Sequence, residues 1–266
     1  MIDKHHIYIF THGRVGKQRT LENLCPSLKA KTTLVIRKDE EGLHPHDRTL
    51  VLPSPMRLSE ARQYVLDYTP YKYITMLDDD LDWSRRQDGS LPNAKHYQHE
   101  FSLDLMLEQE KFLRDGFVHC GVSAREGNNR IKEDYKDVDR MMRVLSYNVE
   151  VVNKEGCKFD RLVLKADFDM TLQLLRLGYP NRVSYRLAQG QGRSNDPGGC
   201  SEYRTVELND EVCLELEKLH PDFVTTDVKY TLSSWKNEFE GWRMDVIIQW
   251  KKAYKEGVEI YGQRNV

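Results

Sequence analysis

Short apolar runs alternate with polar turns and amphipathic segments over the first third of the chain. Strands are predicted where apolar and β-branched residues cluster, at residues 6–10, 32–37, 49–52 and 71–77. Helices are predicted over 19–25 and 60–68, where apolar positions recur every three or four residues. This order predicts an α/β fold: a Rossmann-like, mostly parallel, doubly wound sheet flanked by helices.

The same patterns continue through the rest of the chain with longer helical segments. Further helices are predicted over 101–114, 167–177, 208–219 and 235–254, strands over 117–122 and 147–152, and loops over 85–95, 125–140 and 188–204. We therefore predict one α/β domain over residues 1–205, with a C-terminal helical appendage over 206–266 packed on it.

An acidic triplet, Asp78-Asp79-Asp80, directly follows the strand that ends at Leu77. Adjacent carboxylates repel one another unless a cation neutralises them, and hard divalent ions bridge carboxylates to substrate phosphates. Because side chains alternate along a strand, Asp78 and Asp80 are expected to face one side. A solvated acidic turn is the alternative. The position after a buried strand favours Mn²⁺ or Mg²⁺ bound by Asp78 and Asp80, with Asp78 and Asp79 also contacting the nucleotide.

The turn after the first predicted strand combines glycine with basic side chains. Thr11, Gly13, Arg14 and Lys17 are candidate nucleotide-binding residues, because glycine lets the backbone approach a ligand and cations at a helix start favour phosphate. The turn has neither Walker A nor GxGxxG spacing. Taken alone it fits a solvated β–α turn equally well, but its pairing with the acidic triplet favours nucleotide binding.

Two later segments carry further candidate residues. Asp167 begins a predicted helix, where it is either a helix cap or a general base that deprotonates an acceptor hydroxyl. The glycine-rich segment 189–200 is suited to closing over a substrate, and Arg193 within it or Arg204 after it is a candidate diphosphate contact. A plain surface linker is the alternative for this segment.

Composition limits the other function classes only loosely. The 40 basic and 42 acidic residues give a net charge of −2, so overall charge does not indicate nucleic acid, although a local binding face is compatible with it. Five cysteines without a CxxC pair disfavour a disulfide framework or a structural zinc site. No signal-peptide pattern occurs, and no apolar run approaches the roughly 20 residues that span a bilayer. We therefore expect a cytoplasmic protein without membrane contact.

Three motifs together resemble a known family. They are IYIFTHGRVGKQRTL at 7–21, ITMLDDDL at 74–81 and DFDMTL at 167–172 with the following Gly178-Tyr179. These motifs are similar to those of phage-type GT-A glycosyltransferases, in particular the TET/JBP-associated group linked to oxidised-pyrimidine modification in DNA. The resemblance covers roughly residues 5–205.

The resemblance implies an activity and a set of partners. It implies transfer of a sugar from a nucleotide-sugar, UDP-linked by expectation, to the hydroxymethyl group of a modified pyrimidine in phage DNA. The triplet would hold Mn²⁺ or Mg²⁺, and Asp167 matches the base of inverting members. Many GT-A enzymes add a late histidine to the metal; here the late histidine is His220 in a Leu-His-Pro context, and Asp196 or water is the substitute.

Three alternatives remain at this point. A glycosyltransferase acting on protein, lipid or glycan would share every feature of the donor site. A metal-dependent nucleotidyltransferase also needs carboxylates and a metal. A non-enzymatic nucleic-acid-binding module would bind unmodified DNA with strong salt dependence, which the near-neutral charge disfavours.

Overall fold

The structure of the protein is a computed structural model that describes residues 5–87, 90, 95–128, 130–191, 198–231 and 241–265. Within those residues, nine strands form one sheet: β1 His5–Phe10, β2 Thr32–Ile36, β3 Thr49–Val51, β4 Tyr73–Asp78, β5 Leu81–Arg85, β6 His119–Ala124, β7 Tyr135–Asp137, β8 Val144–Asn148 and β9 Asn181–Gln191. Two further strands, β10 Val224–Thr231 and β11 Gly241–Ile248, form a separate antiparallel ribbon.

Helices lie between the strands and after them. The α-helices are α1 Arg19–Asn23, α2 Pro26–Lys29, α3 Leu58–Tyr68, α4 Gln98–Arg114, α5 Arg125–Asn128, α6 Val149–Lys154, α7 Ala166–Arg176, α8 Val206–Leu219 and α9 Trp250–Tyr261. Short 3-10 turns occupy Lys38–Glu40, Lys95–Tyr97 and Gly199–Glu202. Across the described part of the chain, no helix has both the length and the apolar character needed to cross a membrane.

The predicted helix-flanked α/β sheet is confirmed, with a mixed strand arrangement. The order is β3-β2-β1-β4-β8-β6-β9-β5, and β7 pairs with β9. Strands β3, β2, β1 and β4 are mutually parallel, whereas β8, β5 and β7 pair antiparallel with their neighbours. The parallel half brings the carboxyl ends of β1 and β4 to one edge of the sheet.

Both faces of the sheet are buried, as β1 shows most directly. Its residues alternate between two apolar cores: Ile7 and Ile9 pack in one, and Tyr8 and Phe10 pack in the other. A strand covered on both faces needs apolar side chains at consecutive positions. This explains why the first strand is a continuous apolar run in the sequence.

Three predictions in the middle of the chain are wrong in part. The strand predicted over 147–152 ends at Asn148, and α6 begins at Val149, where the acidic Glu150 in the first turn favours a helix start over the β preference of the valines. The loop predicted over 188–204 is a strand in its first part, because β9 continues to Gln191 by pairing with β5. The segment predicted as a loop over 125–140 also contains β7.

The C-terminal appendage is only partly helical. Helices α8 and α9 are present, but the helix predicted over 235–254 is wrong for Gly241–Ile248, which forms β11. Apolar positions spaced four apart, such as Trp242 and Val246, fit a helical face, yet they also fit one face of a strand. Pairing with β10, which is rich in β-branched residues, selects the strand.

The C-terminal segment packs directly on α7. One apolar cluster joins Leu162, Leu164 and Leu172 to residues of the later segment, namely Val212, Leu216, Phe223, Val224 and Ala253. Helix α9 crosses α7 backbone to backbone: a Cβ added to Gly257 would lie 2.7 Å from the Gly178 nitrogen. Packing across residue 205 is therefore extensive, and the domain boundary placed there stays a prediction.

Candidate active site

The acidic triplet and the first β–α loop lie side by side. Strands β1 and β4 are parallel neighbours with Phe10 opposite Asp78, so Thr11 and Asp79 continue from the same edge. Helix α1 is attached to the same point, because the Thr20 hydroxyl donates to the Asp78 carbonyl oxygen at 2.6 Å and accepts from the Leu81 amide at 2.8 Å. The two segments singled out in the sequence thus form one site.

Asp79 is the buried member of the triplet. Its Oδ2 accepts a hydrogen bond from the Thr11 hydroxyl at 2.6 Å, and its Oδ1 pairs with the Arg14 guanidinium. Burial raises the pKa of Asp79 to about 6, while Arg14 and the Thr11 hydroxyl oppose that rise by stabilising the ionised form. Asp79 therefore holds the loop against the strand end.

The other two carboxylates face the cleft more openly. The side chains of Asp78 and Asp80 are 27% and 24% exposed, against 8% for Asp79. Asp78 accepts from Arg62 Nη2 at 2.8 Å, and Asp80 Oδ2 lies 3.2 Å from Arg14 Nη1. Burial and the neighbouring Asp78 raise the pKa of Asp80. Asp78 and Asp80 are therefore the more accessible carboxylates of the triplet, and both line the cleft.

The remaining nucleotide candidates are placed unequally. Gly13 has φ of +68°, a left-handed conformation that favours glycine, and its amide donates to Glu40 Oε1 at 2.5 Å. Arg14 lines the cleft beside the triplet. Lys17 is exposed and is not among the described residues that line it. Arg193 lies outside the described residues.

The cleft has two adjoining arms. The triplet arm has a volume of about 600 Å³ and is bounded by Phe10, Thr11, Arg14, Val35, Leu52, the triplet and residues 198–204. The second arm has a volume of about 610 Å³. Asp78, Gln191, Cys200 and Arg204 line both arms, so the arms meet at the start of the triplet.

The second arm, here called the basic arm, is strongly cationic. Among the described residues its lining includes seven cationic side chains: Arg62, Arg140, Arg143, Lys165, Arg204, Lys229 and Arg243. Its lining carboxylates there are three: Asp78, Asp167 and Asp245. An arm with this excess of positive charge contrasts with the net charge of −2 of the whole chain, and it favours an anionic ligand.

Asp167 faces the basic arm from the first turn of α7. The N-cap position of this helix is Lys165, not Asp167, and Lys165 has a left-handed φ of +56°. Asp167 is half-buried, and its Oδ1 accepts from the Phe168 amide at 3.1 Å. A carboxylate at the wall of a substrate-sized arm is geometrically available to accept a proton from a bound hydroxyl.

Several site residues were not apparent from the sequence. Arg62 orients Asp78 from α3 and is itself almost fully buried. Arg143 has a left-handed φ of +63°, and its carbonyl accepts from the Asp78 amide at 3.2 Å. Its charge opposes the rise in the pKa of Asp80 that burial and Asp78 cause. These residues come from separate segments, and only the tertiary fold brings them to the triplet.

His220 contacts side chains of α7 and not the acidic triplet. Its Nε2 lies 2.7 Å from Asp169 Oδ1 and its Nδ1 lies 3.1 Å from Arg176 Nη1, both on α7. Its ring therefore joins α8 to α7 and is not a ligand at the triplet. The proposed substitute, Asp196, lies outside the described residues. In the described ranges, no three His, Cys, Asp or Glu side chains are arranged to hold a metal ion by themselves.

The fold is similar to that of solved glycosyltransferases. S. aureus TarS (residues 1–349, in complex with UDP-GlcNAc) is 9% identical, with a TM-score of 0.50 over 80% of this chain and 66% of TarS. The mannosyltransferase PcManGT from Pyrobaculum calidifontis, in complex with GDP-Man and Mn²⁺, is 12% identical, with a TM-score of 0.53 over 82% and 64% of the two chains. The present chain thus spans just under two thirds of each of these proteins.

This architecture is the GT-A glycosyltransferase fold. The model of the TET-associated glycosyltransferase family matches residues 5–199, and the chain belongs to that family. The resemblance inferred from the three motifs is thereby confirmed. No curated protein matches the sequence.

The contact between Thr11 and Asp79 leads to a pH-dependent prediction. Because the pKa of Asp79 is raised from 3.8 to about 6, the folded state binds this proton more tightly than the unfolded state does. The free energy of unfolding therefore falls as pH rises through that range. In Thr11→Val the carboxylate loses a donor that stabilises its ionised form. Denaturant unfolding should therefore show a loss of about 1 kcal/mol near pH 5 and about 2 kcal/mol near pH 8.

Thr49→Val, at an exposed position in β3, is the matched control and should change the unfolding free energy by less than about 0.5 kcal/mol at either pH. An equal loss at both pH values in Thr11→Val would show that this hydroxyl does not stabilise an ionised Asp79.

Proposed function

We propose that this chain transfers a sugar from a nucleotide-sugar, in the UDP-linked form, to the hydroxymethyl group of a modified pyrimidine in DNA. The observation that carries the proposal is the pairing of an arm bearing the acidic triplet with a cationic arm, joined at Asp78. The first arm suits a metal-bound diphosphate, and the second suits a polyanionic acceptor.

The donor side rests on the different surroundings of the three carboxylates. Both Asp79 oxygens are engaged within the protein, which leaves Asp78 and Asp80 as the carboxylates open to the cleft. A divalent ion commonly needs only one or two carboxylates when substrate phosphates complete its shell. Asp78 and Asp80 fit Mn²⁺ or Mg²⁺ on this basis, and such an ion would neutralise charge on the departing diphosphate. UDP-GlcNAc in TarS and GDP-Man with Mn²⁺ in PcManGT support this assignment.

Residues of this chain supply the rest of the donor chemistry. Arg14 is anchored to Asp79 and Asp80, so its guanidinium lies where diphosphate oxygens would arrive. Lys17 and Arg193 remain candidate phosphate contacts, with Thr11 and Gly13 shaping the loop. Arg143 and Arg204 add positive charge where the two arms meet.

The transfer step we propose is a single displacement. The acceptor hydroxyl oxygen forms a bond to the anomeric carbon while the bond from that carbon to the diphosphate oxygen breaks. The hydroxyl proton passes to the Asp167 carboxylate, and the nucleoside diphosphate departs with the electron pair of the broken bond. This geometry inverts the anomeric centre.

The choice of DNA over protein or glycan rests on the basic arm. Phosphodiesters attract clustered lysine and arginine side chains irrespective of base sequence. An uncharged glycan acceptor would gain little from the excess of positive charge in this lining. Membership of a glycosyltransferase family disfavours the nucleotidyltransferase alternative.

Mass spectrometry of digested DNA tests the function directly. The protein is incubated with Mn²⁺, a pool of nucleotide-sugars and oligonucleotides carrying hydroxymethylcytosine, hydroxymethyluracil or neither. We expect a sugar-sized mass increase on one modified nucleoside only, abolished by a chelator. Metal-dependent consumption of nucleotide-sugar without any nucleoside gaining mass would contradict the DNA acceptor and retain the donor site.

The base assignment predicts a selective defect. Asp167→Asn removes the proton acceptor but keeps the side-chain shape, so turnover in the same assay should fall roughly 100-fold or more. Nucleotide binding measured by calorimetry should stay unchanged. Asp160→Asn, at an exposed position before α7, is the control and should retain full turnover. Near-normal turnover in Asp167→Asn would refute the assignment.

The acceptor assignment predicts a change in salt dependence. Lys229 and Arg243 lie opposite each other on the ribbon and line the basic arm. Replacing both with glutamine should weaken DNA binding and reduce the slope of log K against log salt by about 1 to 2. Lys154→Gln with Lys255→Gln, at exposed positions on α6 and α9, is the charge-matched control. Equal slopes in the two double variants would exclude this wall as a phosphate contact.

A further inference from the structure

The basic arm has an apolar floor beneath its cationic rim. Half-buried side chains from α7 and from the ribbon–α9 junction line it: Phe168, Val246, Ile248 and Trp250. We call Phe168 and Trp250, with these two aliphatic neighbours, the aromatic floor. A phosphodiester alone would not contact such an apolar surface favourably. The lining therefore suits a ligand that has both a charged and an apolar part.

The two rings form a defined corner. The Phe168 and Trp250 centroids are 5.7 Å apart with the planes at 83°, an edge-to-face pair. The exposed guanidinium of Arg140 lies over the Phe168 ring, 4.7 Å from its centroid. Aromatic faces and arginine guanidinium planes are the protein groups on which unstacked nucleobases stack.

We propose that the aromatic floor is a binding site for the planar ring of an acceptor pyrimidine that is out of its base stack. This inference rests on the proposed DNA acceptor and specifies the state in which the base is bound. A paired base in a duplex presents only its edges, because its faces are covered by neighbouring bases. Contact with the floor therefore requires a single-stranded or extruded nucleotide.

The position of the floor matches the chemistry of the arm. Phe168 directly follows Asp167 in the first turn of α7, and both residues line the same arm. A pyrimidine ring held at this corner, beside Phe168 and the Arg140 guanidinium, would lie in the arm that Asp167 lines. Asp78 lines both arms, so the donor side of the cleft adjoins the arm that would hold the base.

The cationic rim of the arm is placed to contact the sugar-phosphate part of the nucleotide. Lys229 and Arg243 form a directly opposed pair, so their side chains share one face of the ribbon. They line the arm together with the floor. The sugar-phosphate backbone would stay at these cations while the base enters the arm. The acceptor order that follows is single strand first, mismatched duplex next and fully paired duplex last.

A fluorescent base tests the site without relying on turnover. The full chain is titrated into a single strand carrying pyrrolocytosine, whose emission reports stacking, at the target position. We expect a saturable change in emission with the wild type, and a roughly ten-fold weaker affinity with no such change in Phe168→Leu and Trp250→Leu. The salt slope should be unaltered, because the cationic rim is intact. Tyr68→Leu, at a ring 70% exposed on α3, is the matched control and should behave as wild type.

A second variant covers the case in which loss of a half-buried ring prevents folding. Arg140→Ala changes an exposed side chain and should weaken the emission change and the affinity about three-fold without altering thermal unfolding. Phe168→Tyr, which keeps the ring, should restore wild-type emission.

The outcomes separate this inference from the proposed function. If sugar is transferred equally fast to paired and unpaired targets, and the leucine and Arg140 variants bind like wild type, the base site is wrong and the DNA acceptor stands. If no DNA gains sugar while the emission change persists and depends on Phe168, the base site stands and the proposed acceptor chemistry is wrong.

Discussion

The site depends on the burial of one carboxylate at the end of a central strand. An ionised group removed from water is costly unless it is paired and hydrogen-bonded, and Asp79 gains both from a single loop through Thr11 and Arg14. That requirement fixes the loop after β1 against the end of β4. It also determines which carboxylates remain for a ligand, because Asp78 and Asp80 are left facing the cleft. Asp79 thus stabilises the arrangement of the loop and the strand, while Asp78 and Asp80 are the carboxylates that a ligand in the cleft can reach.

Much of this half of the molecule was predictable because its determinants are local. The apolar run of β1 and the acidic turn after β4 are contiguous in sequence, and the rule that parallel strands present their carboxyl ends together brings Thr11 and Asp78 to one edge. The basic arm was not predictable in the same way. Its cations come from positions as distant in sequence as Arg62 and Arg243. Each of them, taken alone in the sequence, predicts only a charged side chain in solvent. The ribbon was missed because spacings of four residues suit a helical face and a strand face alike.

The C-terminal segment contributes more than cover to α7. It meets this helix at three levels: the Lys165 ammonium donates to Asn209 of α8 at 2.9 Å, His220 pairs with Asp169, and α9 crosses at Gly257. The helix that carries Asp167 is thereby held from one side by the sheet and from the other by residues beyond the family match, which ends at 199. The matched region contains most of the triplet arm, which extends beyond it to Arg204, whereas the basic arm also takes residues of α8, the ribbon and α9.

This division of the cleft has an evolutionary consequence. The triplet arm is built from residues before 81, from Gln191 and from 198–204, while much of the basic arm comes from 140–168, from Lys229 and from 243–250. Side chains that line the basic arm can be substituted without changing the contacts of Asp79 with Thr11 and Arg14. The lining of the basic arm can therefore change during evolution while the lining of the triplet arm is kept, so the two arms of one cleft can diverge at different rates.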